Sequence, residues 1–326
     1  MAEQKPPTKR KGCLGCALPV AITLTVIAVI IIITSLVTGA LGQRLISGLN
    51  LPDWLKVPPP AVELPAEALF HIGPFAVTNT ILTSWITIVV LAIILITLSS
   101  RAKIIPSKFQ SAVEMVLEWV YNLCRDVAGE KNGPKFFPII VTIFLFVMMN
   151  AWMALIPGYG SILAHTEEGA VPFLRGANTD INTPLAIALI SFVFVTYIGF
   201  AAQKFGFLKQ FFNFGHFFLG VKDLFTGKLK RGLSGIAFGA IDIFVGFLEL
   251  VSYFVRIISF TFRLFGNMTG GEILVAAFLF LAPFLIPLFA YGLEVLVGAV
   301  QALIFSGLTL VFAAMAAQGH EAEHHG

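Results

Sequence analysis

This sequence predicts an all-α, polytopic membrane fold: about six membrane helices, the last two long and strongly tilted, plus one amphipathic interfacial helix. Three observations carry that expectation. Hydrophobic residues make up 57% of the chain and charged residues 12%, roughly half the charge of a soluble domain, and mean hydropathy is +0.90. The apolar residues gather into runs near the ~20 residues that span a bilayer core. The basic residues fall on alternate connections between those runs. A chain of 326 residues makes about two soluble domains by length alone, but here the natural unit is the span. The net charge of +3 is arranged by membrane side and points to no nucleic acid.

The first apolar run, about 18–37, follows Lys5, Lys9, Arg10 and Lys11, and with them forms an N-terminal basic segment and membrane anchor over 1–40. A basic start, an apolar run and Thr38-Gly39-Ala40 also fit a signal peptide with its cleavage site. The run is longer than the 7–15 residues typical of such peptides, which favours an uncleaved anchor. The segment 41–80, rich in proline and containing Pro58-Pro59-Pro60, reads as an extended extracytoplasmic linker. Runs at about 81–98, 136–156 and 184–202 supply three more spans.

Between the second and third spans, Phe109, Val113, Val116, Leu117, Val120, Cys124 and Val127 recur at helical spacing. Lys108, Ser111, Glu114, Glu118, Asn122 and Arg125 take the other side, the pattern of an amphipathic surface helix. Ser107 and Gln110 supply a capping box at its start and Gly129 a cap at its end. The last stretch, 236–317, is too long for two simple spans and predicts extended helices at about 240–268 and 272–317. They separate near Gly270-Gly271, and Pro283 and Pro287 bend the second. A polar tail, 318–326, closes the chain.

Four basic residues precede the first span, six lie between the second and third, and six follow the fourth, while the alternate connections hold only Arg44, Lys56 and Arg175. The positive-inside rule then puts both termini and both basic loops in the cytoplasm, with 41–80 and 157–183 outside. Cys13 and Cys16 form a CxxC with no second pair and no βαβ context, so they read as juxtamembrane thiols; Cys124 reads as packing.

Charges inside apolar helices cost at least about 2.5–3.5 kcal/mol each, so they are candidates for function. Asp242, Glu249, Arg256 and Arg263 recur every seven residues, Glu272 follows on the same stretch, and Glu294 and Gln301 lie on the last helix. A spacing of seven is close to two turns and makes a stripe on one helix face. Fourteen residues put Glu249 roughly 21 Å from Arg263 along the axis, toward the cytoplasm, and Glu272 lies on the other side of the arginine. Two separated carboxylates are protonatable stations; a guanidinium that keeps its proton is a barrier between them. Such a path conducts only if another component carries the proton past the barrier. The alternative reading of Arg263 is an ion pair that holds helices together.

The run from Ser259 to Glu272, SFTFRLFGNMTGGE, resembles the signature of subunit a of the F-type ATP synthases, and Gln301-Ala302-Leu303-Ile304-Phe305 resembles its second block. NAWMALIPG, from Asn150 to Gly158, and Thr179-Asp180-Ile181-Asn182-Thr183 are similar to further family stretches, so the resemblance runs from about 75 to 317. It implies a multi-pass stator subunit of the cell inner (plasma) membrane, C-terminus cytoplasmic, with 81–317 as the ion-translocation domain. The implied partners are a c-subunit ring, b-type peripheral stalk subunits, the rest of the F-type ATP synthase and the lipid bilayer. It implies no cofactor and no catalysis by the chain alone.

The family's essential arginine, which separates two offset aqueous half-channels, falls on Arg263. Its outer-channel positions match Asn267, Glu272, Glu294 and Gln301, and its inner ones Ser259 and Glu249. The family often pairs glutamate on one of the last two helices with histidine on the other; this chain has glutamate at both, and two close carboxylates tend to share a proton. Arg175, Asp180 and Asn182 resemble family loop positions at an extracytoplasmic mouth, with loop ordering and helix capping as the alternative. Arg256 is expected to snorkel to the cytoplasmic interface and Asp242 to be a solvated helix-start charge. His320, His324 and His325 read as a wet tail, and His71, His165 and His216 as outside any constellation.

Two rival readings stay open on the residues alone. A secondary transporter would use Arg263 for an anionic substrate, but predicts inverted repeats with paired broken helices where only one polar pair is visible. A structural membrane subunit has no need of so many polar groups on two adjacent helices. No nucleotide loop, nucleophile triad or metal cluster suggests a free-standing enzyme.

Overall fold

The computed structural model describes residues 18–45, 52, 59, 65–156, 158–166, 169–204, 206–211, 215–225, 229–284 and 286–318. Cys13, Cys16 and the tail histidines lie outside them. Among the described residues, six helices are long and apolar enough to cross a membrane: Val20–Thr38, Asn79–Ser100, Lys108–Ala154, Asn182–Gln203, Arg231–Leu281 and Ile286–Gln318. The chain is an all-α polytopic membrane protein, as its composition predicts. It divides into two compact units, Glu63–Thr269 with Val295–Gly326, and Met1–Val62 with Gly270–Glu294.

The larger unit starts, among the described residues, in a hairpin of β1 (Ala68–Ile72) and β2 (Phe75–Thr78). The segment expected as an extended linker therefore ends in paired strands, and they run directly into the helix Asn79–Ser100. Thr78 caps that helix by accepting from the Ile81 amide at 3.4 Å. At the start of the next, Lys108–Ala154, Ser107 accepts from the Gln110 amide at 3.3 Å. Gly129, at φ 78°, breaks this helix where a terminal cap is expected, because a left-handed residue is least costly as glycine. Beyond the break the chain folds back so closely that a Cβ on Gly133 would stand 2.8 Å from the Arg125 Cα. The apolar side of the amphipathic stretch, Val120 and Cys124, thereby joins Phe136, Ile140 and Phe144 in the core.

A second hairpin, β3 (Leu163–Thr166) and β4 (Gly169–Pro172), precedes the helix Asn182–Gln203. The basic connection that follows holds two short helices, Gly206–Phe211 and Gly215–Phe225.

In chain order, the helices are α1 (Leu18–Thr38), α2 (Ala40–Leu45), α3 (Asn79–Ser100), α4 (Lys108–Ala154), α5 (Asn182–Gln203), α6 (Gly206–Phe211), α7 (Gly215–Phe225), α8 (Leu229–Leu281) and α9 (Ile286–Gln318). The core of the larger unit joins α4, α5, α8 and α9 through Val147, Ile187, Phe260, Leu264 and Phe305.

The last apolar stretch departs from expectation. It does not break at Gly270-Gly271; α8 runs through both glycines to Leu281, and the break falls between Leu281 and Ile286. Two physical causes account for this. A Cβ on Gly271 would lie 2.1 Å from the Glu294 carboxyl, so this glycine makes room for a side chain rather than ending a helix. Pro283, which lacks an amide hydrogen, lies in the break, and Pro287 sits in the first turn of α9, where an amide has no helical partner anyway. The prolines separate α8 from α9 instead of bending a single helix.

Candidate functional site

The polar stripe of α8 lies at the edge between its packed and open faces. Phe260, Leu264 and Met268 are buried, one turn apart, and the Phe260 ring lies 4.8 Å from that of Phe305 on α9. Ser259, Phe262, Gly266 and Asn267 are exposed. Asp242, Glu249, Arg256 and Arg263 are all half-buried, as a seven-residue repeat on one helix edge requires.

Each member of the stripe has its own surroundings. Asp242, expected to be solvated, is held by His216 Nδ1 of α7 at 2.6 Å, so His216 does belong to a pair. The Arg256 guanidinium carbon lies 3.6 Å from the centre of the Phe312 ring on α9 and 4.5 Å from that of Tyr253. Stacking on two aromatic faces satisfies a cation that would otherwise seek water. Arg263 forms no ion pair among the described residues, and its guanidinium carbon lies 5.9 Å from the Phe260 ring centre. Seven residues apart on one helix, Arg256 is packed away while Arg263 remains open.

Beside Arg263, Asn267 Nδ2 donates to Gln301 Oε1 at 2.8 Å. Gln301 is buried, and its side-chain nitrogen has no hydrogen-bond partner among the described residues. An unpaired donor at such a site is costly unless water or a partner meets it. In the smaller unit, Glu294 is buried with its carboxyl against Gly271. Glu272, the next residue after that glycine, is exposed. The two carboxylates thus belong to one compact unit in unlike settings.

Of the three residues expected at a channel mouth, Asp180 and Asn182 bond directly to one another. Asp180 is buried and its two oxygens are occupied. Oδ2 accepts from the Thr80 hydroxyl at 2.9 Å; Oδ1 accepts from the Asn182 amide at 3.1 Å and its Nδ2 at 3.0 Å. Arg175 Nη1 donates to the Pro65 carbonyl at 3.1 Å. The loop-ordering alternative for Asp180 is therefore favoured by geometry, since an aspartate that caps two residues on closes a local turn.

Sequence reasoning missed the wider polar layer that Asp180 joins. Asn79, Thr80, Thr83 and Thr87 of α3 are fully buried. The Thr87 hydroxyl donates to Asn150 Oδ1 at 2.8 Å, and the Tyr159 hydroxyl to Thr83 at 3.3 Å. Burial pushes the Tyr159 phenol up, against the lowering effect of that bond. The signal was present as threonines recurring at 80, 83 and 87 along one side of an otherwise apolar run.

Comparison with known proteins gives a consistent result. Residues 81–314 match the family described as ATP synthase A chain. The ATP synthase subunit a of Gloeobacter violaceus (strain ATCC 29082 / PCC 7421) is 29% identical over 267 residues, covering 81% of this chain and 94% of its own length.

Proposed function

The chain belongs to the ATP synthase A chain family, and from that membership we propose that it is the proton-conducting stator subunit, with Arg263 separating two half-channels that serve a rotating c ring. As a member of that family it is a membrane subunit and not an enzyme alone; the complex as a whole synthesises ATP. In the proposed cycle, protons enter from the outer side past Glu272, Glu294, Asn267 and Gln301 and reach a carboxylate of the ring. After rotation that carboxylate releases its proton past Ser259 and Glu249 to the cytoplasm. Arg263 draws the emptied carboxylate in and denies protons a direct crossing, since its guanidinium keeps its charge. The ring and b-type stalk subunits are the partners, the cell inner membrane is the site, and the C-terminus is cytoplasmic.

The observation that carries this reading is the half-buried Arg263, without an ion pair among the described residues, beside the open face of Ser259, Phe262 and Gly266. A cation in that position has a free valence for a carboxylate from outside the chain. Two glycines support close approach by a partner: at Gly266 and Gly307 nothing stands within 4 Å of where a Cβ would go. The chain's own packing does not require glycine there, although glycine in a helix costs about 1 kcal/mol relative to alanine.

Cross-linking tests the contact. Cysteines placed singly at Ser259, Phe262 and Leu264 of the assembled complex are paired with a cysteine on the outer helix of the ring. Linkage at Ser259→Cys and Phe262→Cys but not at the buried Leu264→Cys is expected. Absence of ring linkage at both exposed positions contradicts the reading.

A further inference from the structure

We propose that the last turn of α1 is a clasp on the α8–α9 turn, and that through it Ser35 and Gly39 position the Glu272 and Glu294 pair. The inference rests on the outer-side role given above to Glu294. Helix α1 lies outside the matched residues 81–314, and most of its length is exposed apolar surface suited to lipid. Its buried residues among those described, Ser35 and Thr38, fall at the C-terminal end, and Gly39 directly after it is buried too. A helix held in place only by lipid has no need of burial concentrated in one turn.

The contacts made there are specific to the turn. The Phe284 amide donates to the Ser35 hydroxyl at 3.1 Å. That amide lies between the end of α8 and the start of α9, where the helical ladder supplies no acceptor, and in an apolar setting an unpaired amide is strongly unfavourable. Four positions along, Gly39 meets the end of α8 itself: a Cβ there would stand 2.0 Å from the Leu281 carbonyl oxygen and 3.1 Å from the Ala282 Cα. Only glycine permits that approach. A hydroxyl acceptor in the last turn of α1 and a missing side chain just past its end thus fit the two sides of one turn.

The turn joins the segments that bear both carboxylates. Residues 270–281 of α8 and 286–294 of α9 belong with α1 to the smaller unit. This helical pair is held at its turn by α1, and further along by the Glu294 carboxyl seated on Gly271. Release of the turn lets the start of α9 shift against α8 and so moves the Glu294 carboxyl from its seat. Ser35 and Gly39 are positioning residues in this account; neither meets a proton on its path.

The test uses the assembled complex in its native membrane, with Cys13, Cys16 and Cys124 replaced by serine. Mild oxidation of Ser35→Cys with Phe284→Cys is expected to give a cross-linked peptide by mass spectrometry. Among separate single variants, Gly39→Leu is expected to slow ATP-driven proton pumping several-fold per assembled complex and to shift its dependence on outer-side pH. Ser35→Ala should show a smaller loss, Ser35→Thr normal pumping by keeping the hydroxyl, and Ile27→Ala, on the exposed length of α1, no change. The proposal is overturned if no linked peptide forms, if the mature chain starts beyond Ala40, or if Gly39→Leu leaves the pH profile of assembled complexes unchanged. Normal pumping by Glu294→Gln would instead defeat the functional reading of Glu294, while the linked peptide would still form.

Discussion

Asp180 and Arg263 are both charged groups set among apolar helices, yet their surroundings are opposite. Asp180 receives three hydrogen bonds from Thr80 and Asn182 and is buried. Arg263 is half-buried and without an ion pair among the described residues. Arg256, one stripe position away, behaves like Asp180, since Phe312 and Tyr253 occupy its guanidinium. A charge in an apolar segment is therefore not by itself a working charge. One whose partners are all supplied by the chain holds the fold; one left open beside an open face is available to another subunit.

The largest effect should come from breaking the open side of this contrast. Arg263→Ala is expected to lower ATP synthesis per assembled complex by on the order of 100-fold, the scale seen when one electrostatic group is removed from a reacting site. Arg263→Lys should not restore it, because an ammonium in this partly apolar setting gives up its proton more readily than a guanidinium and lacks the planar fork.

Asp180→Ala should act on the other side of the contrast. It leaves the Thr80 and Asn182 donors unpaired, which costs about 2–4 kcal/mol. The amount of assembled complex and its thermal midpoint should fall while coupling in the surviving complexes stays normal. Uncoupling at full assembly would move Asp180 into the working class.

Glu272→Gln and Glu294→Gln sharpen the comparison within one unit. Each should slow ATP-driven pumping by several-fold, and the double variant should fall short of the product of the two. Independent effects would show two separate stations. The smallest effect is expected from Arg256→Leu, a loss of about 1 kcal/mol as the aromatic stacking goes, read as a slightly lower melting temperature with pumping unchanged.

What was legible in the sequence was what depends on near neighbours. The cap at Ser107 and the break at Gly129 follow from side-chain and backbone preferences within one turn, and both stand in the structure. The end of α8 was misread because Gly271 answers to Glu294 on another helix rather than to its own turn. The stacking of Arg256 could not be read because Phe312, its partner on α9, is not adjacent in sequence. Thr80 and Thr87 find Asp180 and Asn150 across separations of 100 and 63 residues, which helical periodicity does not encode. The charges of the candidate site were visible as exceptions to an apolar pattern; which of them remained open was a property of the tertiary packing.

The central claim, that Arg263 separates two half-channels, is tested most directly by passive proton leak through assembled Arg263→Ala complexes in sealed vesicles, normalised to the amount of ring retained. Loss of the barrier predicts a leak above that of the unsubstituted complex, abolished by a ring-directed blocker. Vesicles as proton-tight as the unsubstituted ones, with synthesis per complex near normal, would contradict it and return Arg263 to the class of Asp180.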